Sequence, residues 1–313
     1  MATVSIPYTD PASDTGFFGH PRGLLICFTT ELWERFSFYG MKYLLLLYLT
    51  KYHLFTDSSG LEVLGSYAAL VYAMPVIGGL LADRYLGMRK AVVFGGILLV
   101  LGHLGMAVEG EQARNEGGQI LRDEGALQVF YLSLALIVIG VGFLKPNIST
   151  IVGRLYGQDD PRRDSGFTIF YMGINLGAFS ATLLCGYLGE TFGWRYGFGV
   201  AGIGMLVGLA SFLAGQRHLH GQAEPGDPAL LRQKSPLGIS KELTIYLCGL
   251  LGVAAAWQML QFHGAVGHLL RRLSLAAMLL LPAACGDDGR SDMPAAPAAA
   301  GRVITVDLWT GAG

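Results

Sequence analysis

Glu31, Glu34, Arg35 and Tyr39 lie inside one hydrophobic run that extends from 24 to about 49. Such a run, roughly 25 residues, is long enough to cross a bilayer as a helix. On a helix the four residues fall at i, i+3, i+4 and i+8, so they share one face. A charge near the middle of a membrane costs at least about 2.5–3.5 kcal/mol, and residues of this kind usually pair and mark an ion or substrate path. Three other polar residues stand in apolar surroundings. Lys145 precedes Pro146 at the end of the run 126–144, where a lone lysine snorkels to an interface. Asn175 sits among Gly173, Gly177 and Ala178, a setting for a helix–helix hydrogen bond. His103, alone on an apolar helix, reads as a packed group and not as a proton carrier. No phosphate-binding glycine loop, nucleophile elbow or metal-ligand cluster occurs. The chemistry on offer is charge transfer and polar recognition within a membrane, and the protein is not expected to be an enzyme.

The elements that must position these residues are membrane spans. Of 313 residues 52% are hydrophobic, 14% are charged and 45 are glycine, with mean hydropathy +0.46. That is the composition of a polytopic membrane protein. The net charge of −1 argues against a nucleic-acid partner. Cys27, Cys185 and Cys248 lie in apolar runs and read as small core residues, with no disulfide or zinc spacing among them and Cys285. After the first run, apolar segments follow at 63–82, 91–108, 126–144, 167–188, 196–214 and 243–260. The segment 109–124 reads as a polar loop with five acids against two arginines, and 216–241 as a linker. Arg22, then Arg84, Arg89 and Lys90, then Arg154, Arg162 and Arg163, then Arg217, Arg232, Lys234 and Lys241 alternate with basic-poor loops. The positive-inside rule therefore puts the N-terminus in the cytoplasm.

The string Glu31-x-x-Glu34-Arg35-Phe36-x-Phe38-Tyr39-Gly40 resembles the first-helix signature of the proton-dependent oligopeptide transporters, a branch of the major facilitator superfamily. It departs at Phe38, where the commonest pattern has tyrosine. Gly140-Val141-Gly142-Phe143-Leu144-Lys145-Pro146-Asn147 is similar to that family's fourth-helix motif, and Phe170-Tyr171-Met172-Gly173-Ile174-Asn175 to its fifth-helix signature. Gly78-Gly79-Leu80-Leu81-Ala82-Asp83-Arg84-Tyr85-Leu86-Gly87 resembles the superfamily's loop between helices two and three.

The resemblance implies an all-α fold: the N-terminal six-helix bundle of a major facilitator plus part of a helical pair that bacterial members insert. The corresponding division is a cytoplasmic tail 1–23, the bundle 24–214, a linker 215–242, an extra helix with the start of its partner 243–270, and a divergent segment 271–313. It implies import of di- and tripeptides across the bacterial inner membrane, with the proton as coupling ion and no other cofactor. The same resemblance implies that Glu31, Glu34, Arg35 and Lys145 carry the coupling. Tyr39, Tyr67, Asn175, Arg35 and Lys145 meet the peptide, although packing in the bundle core is an equally good account of Tyr67. Gly79, Asp83, Arg84 and Gly87 form a conformational loop in which the acid and the arginine pair or cap helix ends. The partners are small peptides, protons and the bilayer.

The family pattern stops near 270. Beyond it, Arg271 and Arg272, a short apolar core and Cys285 resemble a bacterial lipoprotein signal, and 291–313 reads as a disordered tail. A second six-helix half is expected to be missing through a frameshift, a fusion or a mis-read frame. The cavity then needs that half or another copy of the chain. Two alternatives follow: a half-bundle that transports nothing, and a facilitator of nitrate or another small anion.

Overall fold

Two helices that carry buried polar residues, one at the start and one in the middle of the chain, are each flanked by two long neighbours. In the computed structural model, which describes residues 13–235, 238–262 and 264, the long helices are α1 (Arg22–Leu47), α2 (Asp57–Leu81), α3 (Met88–Gly105), α4 (Glu124–Arg154), α5 (Arg163–Phe192) and α6 (Trp194–Gly215). A short α7 (Pro228–Arg232) and then α8 (Lys241–Gln261) follow. All of this belongs to the unit Met1–Leu269. The lipoprotein-like segment, the tail after it and the partner of α8 lie outside the described residues, as do residues 1–12.

Six of the described helices, counting the turns that extend them, are long and apolar enough to cross a membrane: Asp57–Leu86, Met88–Gly105, Glu124–Arg154, Arg163–Phe192, Trp194–Leu219 and Lys241–Gln261. α1, at 26 residues, has the length but spends it on Glu31, Glu34, Arg35 and Lys42. It packs chiefly on α5 and α6, while α4 packs chiefly on α2 and α3. Advancing each helix by three in the order, with α6 followed by α3 and α5 by α2, maps one set of neighbours onto the other. That is the packing of a three-helix repeat. α8 lies on the outer side of α4.

Glycine permits the closest of these crossings. A Cβ on Gly140 would stand 2.8 Å from the Gly95 carbonyl oxygen, and one on Gly78 would collide with the Gly142 carbonyl. α4 therefore has a neighbour's backbone seated against it on two sides, as small-residue packing in membranes requires. Pro146 lacks the N–H that the Gly142 carbonyl would accept, the usual reason for a helix to stop. Here the helix continues ten residues beyond Leu144, to Arg154. Side chains add bonds on either side of the gap: Asn147 Nδ2 donates to the Phe143 carbonyl at 2.6 Å, and the Thr150 hydroxyl to that of Pro146 at 2.8 Å. Lys145 is consequently mid-helix and not at a helix end.

Three further differences from the sequence reading have physical causes. The loop 109–124 contains an antiparallel hairpin, β1 (Arg114–Glu116) with β2 (Gln119–Leu121). Its turn uses Gly117 and Gly118, both at positive φ, as a two-residue hairpin turn demands. Cys248 is exposed. The inward stripe of α8 is Ile245, Gly249, Val253, Ala256 and Leu260, and Cys248 falls off it. Asp83 and Arg84 are both exposed and make no ion pair with each other. Nor does Asp83 cap α3, whose N-cap position is Gly87, with its side-chain-free backbone at φ +78° against Pro225.

Polar contacts gather at the two ends of the bundle. At the end holding the start of α1, Asp14 accepts from the Arg22 amide at 3.0 Å and lies 3.1 Å from His220 Nε2. There Arg89 reaches Glu224 at 2.5 Å and Lys90 reaches Glu242 at 2.6 Å. At the same end Arg162 holds Asp160 at 2.7 Å, and the hydrogen bond and charge of the guanidinium keep that carboxyl below its usual range. At the opposite end Tyr48 and Tyr52 donate to the carbonyls of Glu109 and Gly110, and Arg122 donates to those of His53 and Leu54.

Candidate functional site

Helical spacing brings Glu31 and Arg35 together one turn apart, and Glu34 joins them from the adjacent position. Glu31 Oε1 accepts from Arg35 Nε at 2.8 Å, and Glu34 Oε2 stands 2.6 Å from the same nitrogen. Glu31, Glu34 and Arg35 are 3%, 1% and 5% exposed. Glu31 Oε2, both oxygens of Glu34 and Arg35 Nη2 have no hydrogen-bond partner among the described residues. One guanidinium thus neutralises one of two buried carboxylates and leaves an excess negative charge. Burying an uncompensated charge costs several kcal/mol, roughly 3–5 when a partner is removed from a buried pair.

Lys145 on α4 supplies the compensating charge at a distance. Its ammonium lies over the ring of Tyr72 on α2, 5.7 Å from the centroid, and no carboxylate oxygen is within 4.0 Å of it among the described residues. Its charge nonetheless reaches Glu34, Glu31 and Arg35. Counting two glutamates, one arginine and one lysine, the group is neutral only as a whole.

Aromatic groups surround it. The Arg35 guanidinium lies over Phe38, 5.5 Å from the ring centroid. The residue that departs from the family pattern therefore keeps the π face of a tyrosine but lacks its hydroxyl. Tyr39, partly exposed, stacks edge-on against Phe38 and lies within electrostatic range of Arg35. Tyr67 on α2 is 1% exposed, and its hydroxyl has no hydrogen-bond partner among the described residues although Glu34 is close enough to influence it. It is a core residue by burial, with a polar tip left unused.

Asn175 is placed apart from this cluster. α5 turns Gly173 and Gly177 toward α1, with Gly177 against the Leu32 carbonyl, and Asn175 stands on the exposed side. Of the conformational loop, Gly79 packs on the Pro146 ring, and Gly87 seats Pro225 of the linker. His103 is buried with neither ring nitrogen bonded among the described residues. Among those residues no group of His, Cys, Asp and Glu is arranged to hold a metal ion. Tyr72, Glu224 and Glu242 were not legible as participants from spacing. Their partners, Lys145, Arg89 and Lys90, lie on other elements, and Arg89 and Lys90 counted in the sequence only toward sidedness.

The POT family profile, PTR2, matches residues 89–235. The chain is 44% identical over 228 residues to an uncharacterized transporter, YclF, of Bacillus subtilis (strain 168), an alignment covering 71% of this chain and 43% of that one. It is 43% identical over 212 residues to a di-/tripeptide transporter of Lactococcus lactis subsp. lactis (strain IL1403), covering 64% and 39%. Among solved structures it is similar to the peptide transporter POT in complex with sulfate, with TM-score 0.64, 38% identity and coverage of 88% of this chain and 53% of that chain. A POT family transporter in complex with a thioalcohol-conjugated peptide gives TM-score 0.67 at 30% identity, covering 88% and 54%. The chain thus spans about half the length of the relatives it matches.

Proposed function

The chain carries a POT family domain within a multi-pass membrane protein, and from that premise we propose that it acts as the N-terminal bundle of a proton-coupled importer of di- and tripeptides. The observation that supports this most directly is the buried Glu31–Arg35–Glu34 cluster, in which one cation serves two carboxylates. A proton on Glu34 leaves Arg35 paired with Glu31 alone and gives the four-residue group, neutral before, a net positive charge. Lys145, balanced in the resting state only at a distance, is then the cation available to a peptide's C-terminal carboxylate. Tyr39 and Asn175, both exposed, offer a phenol and an amide to the peptide backbone. Loss of the proton on the far side restores the second carboxylate to Arg35 and expels the peptide from the cations. The proton is the coupling ion, and the scheme calls for no other cofactor.

The same reading places the chain in a bacterial inner membrane with its N-terminus in the cytoplasm. Its support is the basic end of the bundle, where Arg22, Arg89, Lys90 and Arg162 gather with the first described residues. The Gly79–Gly87 turn is the conformational element, tied to the linker at Pro225.

A second reading follows from length. The chain spans 43% of its Bacillus relative, and in this superfamily the substrate site lies between two six-helix halves. On that reading the bundle binds peptide but transports only when another half, or a second copy, completes the cavity. Proteoliposomes holding the purified full chain test both. Acid-driven uptake of a labelled dipeptide that Glu34→Gln abolishes, with counterflow exchange spared, is the expected result. Equal loss of both activities would sink the coupling role of Glu34. Peptide binding without any uptake by the unaltered chain would favour the second reading.

A further inference from the structure

Between the ends of α4 and α5, on the side of the bundle that holds Arg22, runs a groove with a cavity of about 580 Å³, lined among others by Ser149, Gly153, Arg154, Arg163, Phe167 and Tyr171. That volume falls within the range of small-molecule sites, about 300–1,000 Å³. No carboxylate lines it, and neither arginine is in an ion pair among the described residues. The nearby acid Asp160 is already held by Arg162. Gly153 makes the room: a Cβ there would stand 3.7 Å from Arg163 Nη2 and 3.6 Å from the Phe167 ring, so the guanidinium lies across the α4 backbone. Tyr156, at the groove's edge, remains a neutral phenol, since burial pushes it up to about 12.

The groove continues the face that carries Lys145. Residues 145, 149 and 153 follow at i, i+4 and i+8 along α4, while Arg154, at i+9, lies about 13.5 Å along the axis but half a turn round the helix from Lys145, so its long side chain must reach back to the groove. A ligand released from Lys145 toward this end meets two guanidinium groups that are in no ion pair among the described residues, Arg154 donating only to the Gln222 carbonyl at 3.4 Å, with the Phe167 and Tyr171 rings as a wall. Guanidinium forks bind carboxylates in two-pronged fashion.

We infer that this groove is a second, separate binding site for a small carboxylate ligand, the station at which a peptide's C-terminal carboxylate is held by Arg154 and Arg163 after it leaves Lys145. The identification of the ligand as a peptide rests on the proposed function; the preference for an oxyanion rests on the groove itself. A lipid phosphate shares the oxyanion chemistry, but continuity with Lys145 favours the free ligand.

The test uses a thiol reporter in the groove. Ser149→Cys is made in the full chain with Cys248→Ser and Cys285→Ser, and the purified protein is placed in phosphatidylcholine nanodiscs. Its rate of modification by an anionic methanethiosulfonate reagent is measured with and without L-alanyl-L-alanine. The dipeptide is expected to slow labelling about tenfold, equivalent to ~1.4 kcal/mol, and its C-terminal amide is expected to have no effect. Protection should vanish in Arg154→Gln/Arg163→Gln and persist in Lys145→Gln. Absence of protection, equal protection by the amide, or loss of protection in Lys145→Gln alone would overturn the site. So would labelling already blocked without peptide in phosphatidylglycerol nanodiscs, which would assign the groove to a lipid headgroup. Thr150→Cys replaces the reporter should Ser149→Cys not fold. Protection that persists in a chain showing no uptake keeps the groove and removes the transport reading, so the two fail separately.

Discussion

At the scale of single residues, the balance at Arg35 decides how the buried cluster responds to change. The guanidinium is the shared partner of Glu31 and Glu34, both almost wholly buried. Replacing it strands two carboxylates in a low-dielectric core, whereas replacing Glu34 leaves a matched pair. Arg35→Gln is therefore expected to cost about 3–5 kcal/mol, and Glu34→Gln far less or even a gain. Thermal unfolding of the two variants in one detergent ranks them. Equal destabilisation would show that Glu34 has a structural partner beyond Arg35. Phe38 belongs to the same balance, because it places a π face beside the cation without a hydroxyl that would compete for either carboxylate.

For the helices as elements, glycine spacing is informative only where a neighbour's backbone is present. Gly65 and Gly78 both lie within α2, yet a Cβ at Gly65 meets nothing within 4 Å, while at Gly78 it meets the Gly142 carbonyl. Gly78→Ala is expected to force α2 away from α4 at a cost of about 1–3 kcal/mol. Gly65→Ala should be neutral or stabilise by about 0.4–1 kcal/mol through the unfolded chain. Melting temperatures of the pair read the contrast directly, and a similar response at both positions would mean that α2 does not cross α4 at Gly78. The helix-continuing Pro146 belongs here too. Its missing donor falls at that same crossing, where the Gly142 carbonyl faces Gly78, while Asn147 and Thr150 bond the carbonyls of Phe143 and Pro146 on either side.

On the scale of the whole molecule, the linker after α6 is fastened to the turn between α2 and α3. Arg89 grips Glu224 at 2.5 Å and 3.1 Å and also Gln216, while Lys90 holds Glu242 at the start of α8. These side chains are only 13–27% exposed, so the pairs are screened less than surface ones. Together they fix the register of everything that follows the bundle. Arg89→Gln should loosen the linker, and limited trypsin digestion in nanodiscs should cleave after Arg217 and Arg232 several-fold faster, with the helices intact. Unchanged cleavage would mean that Gly87 packing on Pro225 suffices to hold the linker.

Much of this protein is written locally. Apolar runs of membrane length, and a signature that sets Glu31, Glu34 and Arg35 on one helical face, are readable because helix geometry alone decides which residues are neighbours one turn apart. The Gly117–Gly118 turn was equally local, its two positive-φ residues being a hairpin signal inside the segment read as a polar loop. Tertiary structure alone decided the rest. Lys145 faces Tyr72, not a glutamate; Arg89 finds Glu224 across 135 residues and Lys90 finds Glu242 across 152; and Cys248 turns outward although its run is apolar. The spacing along a helix fixes which side chains share a face, but not which face meets a neighbour. That choice is made by backbone approach at the glycine crossings and by charge pairing between distant elements.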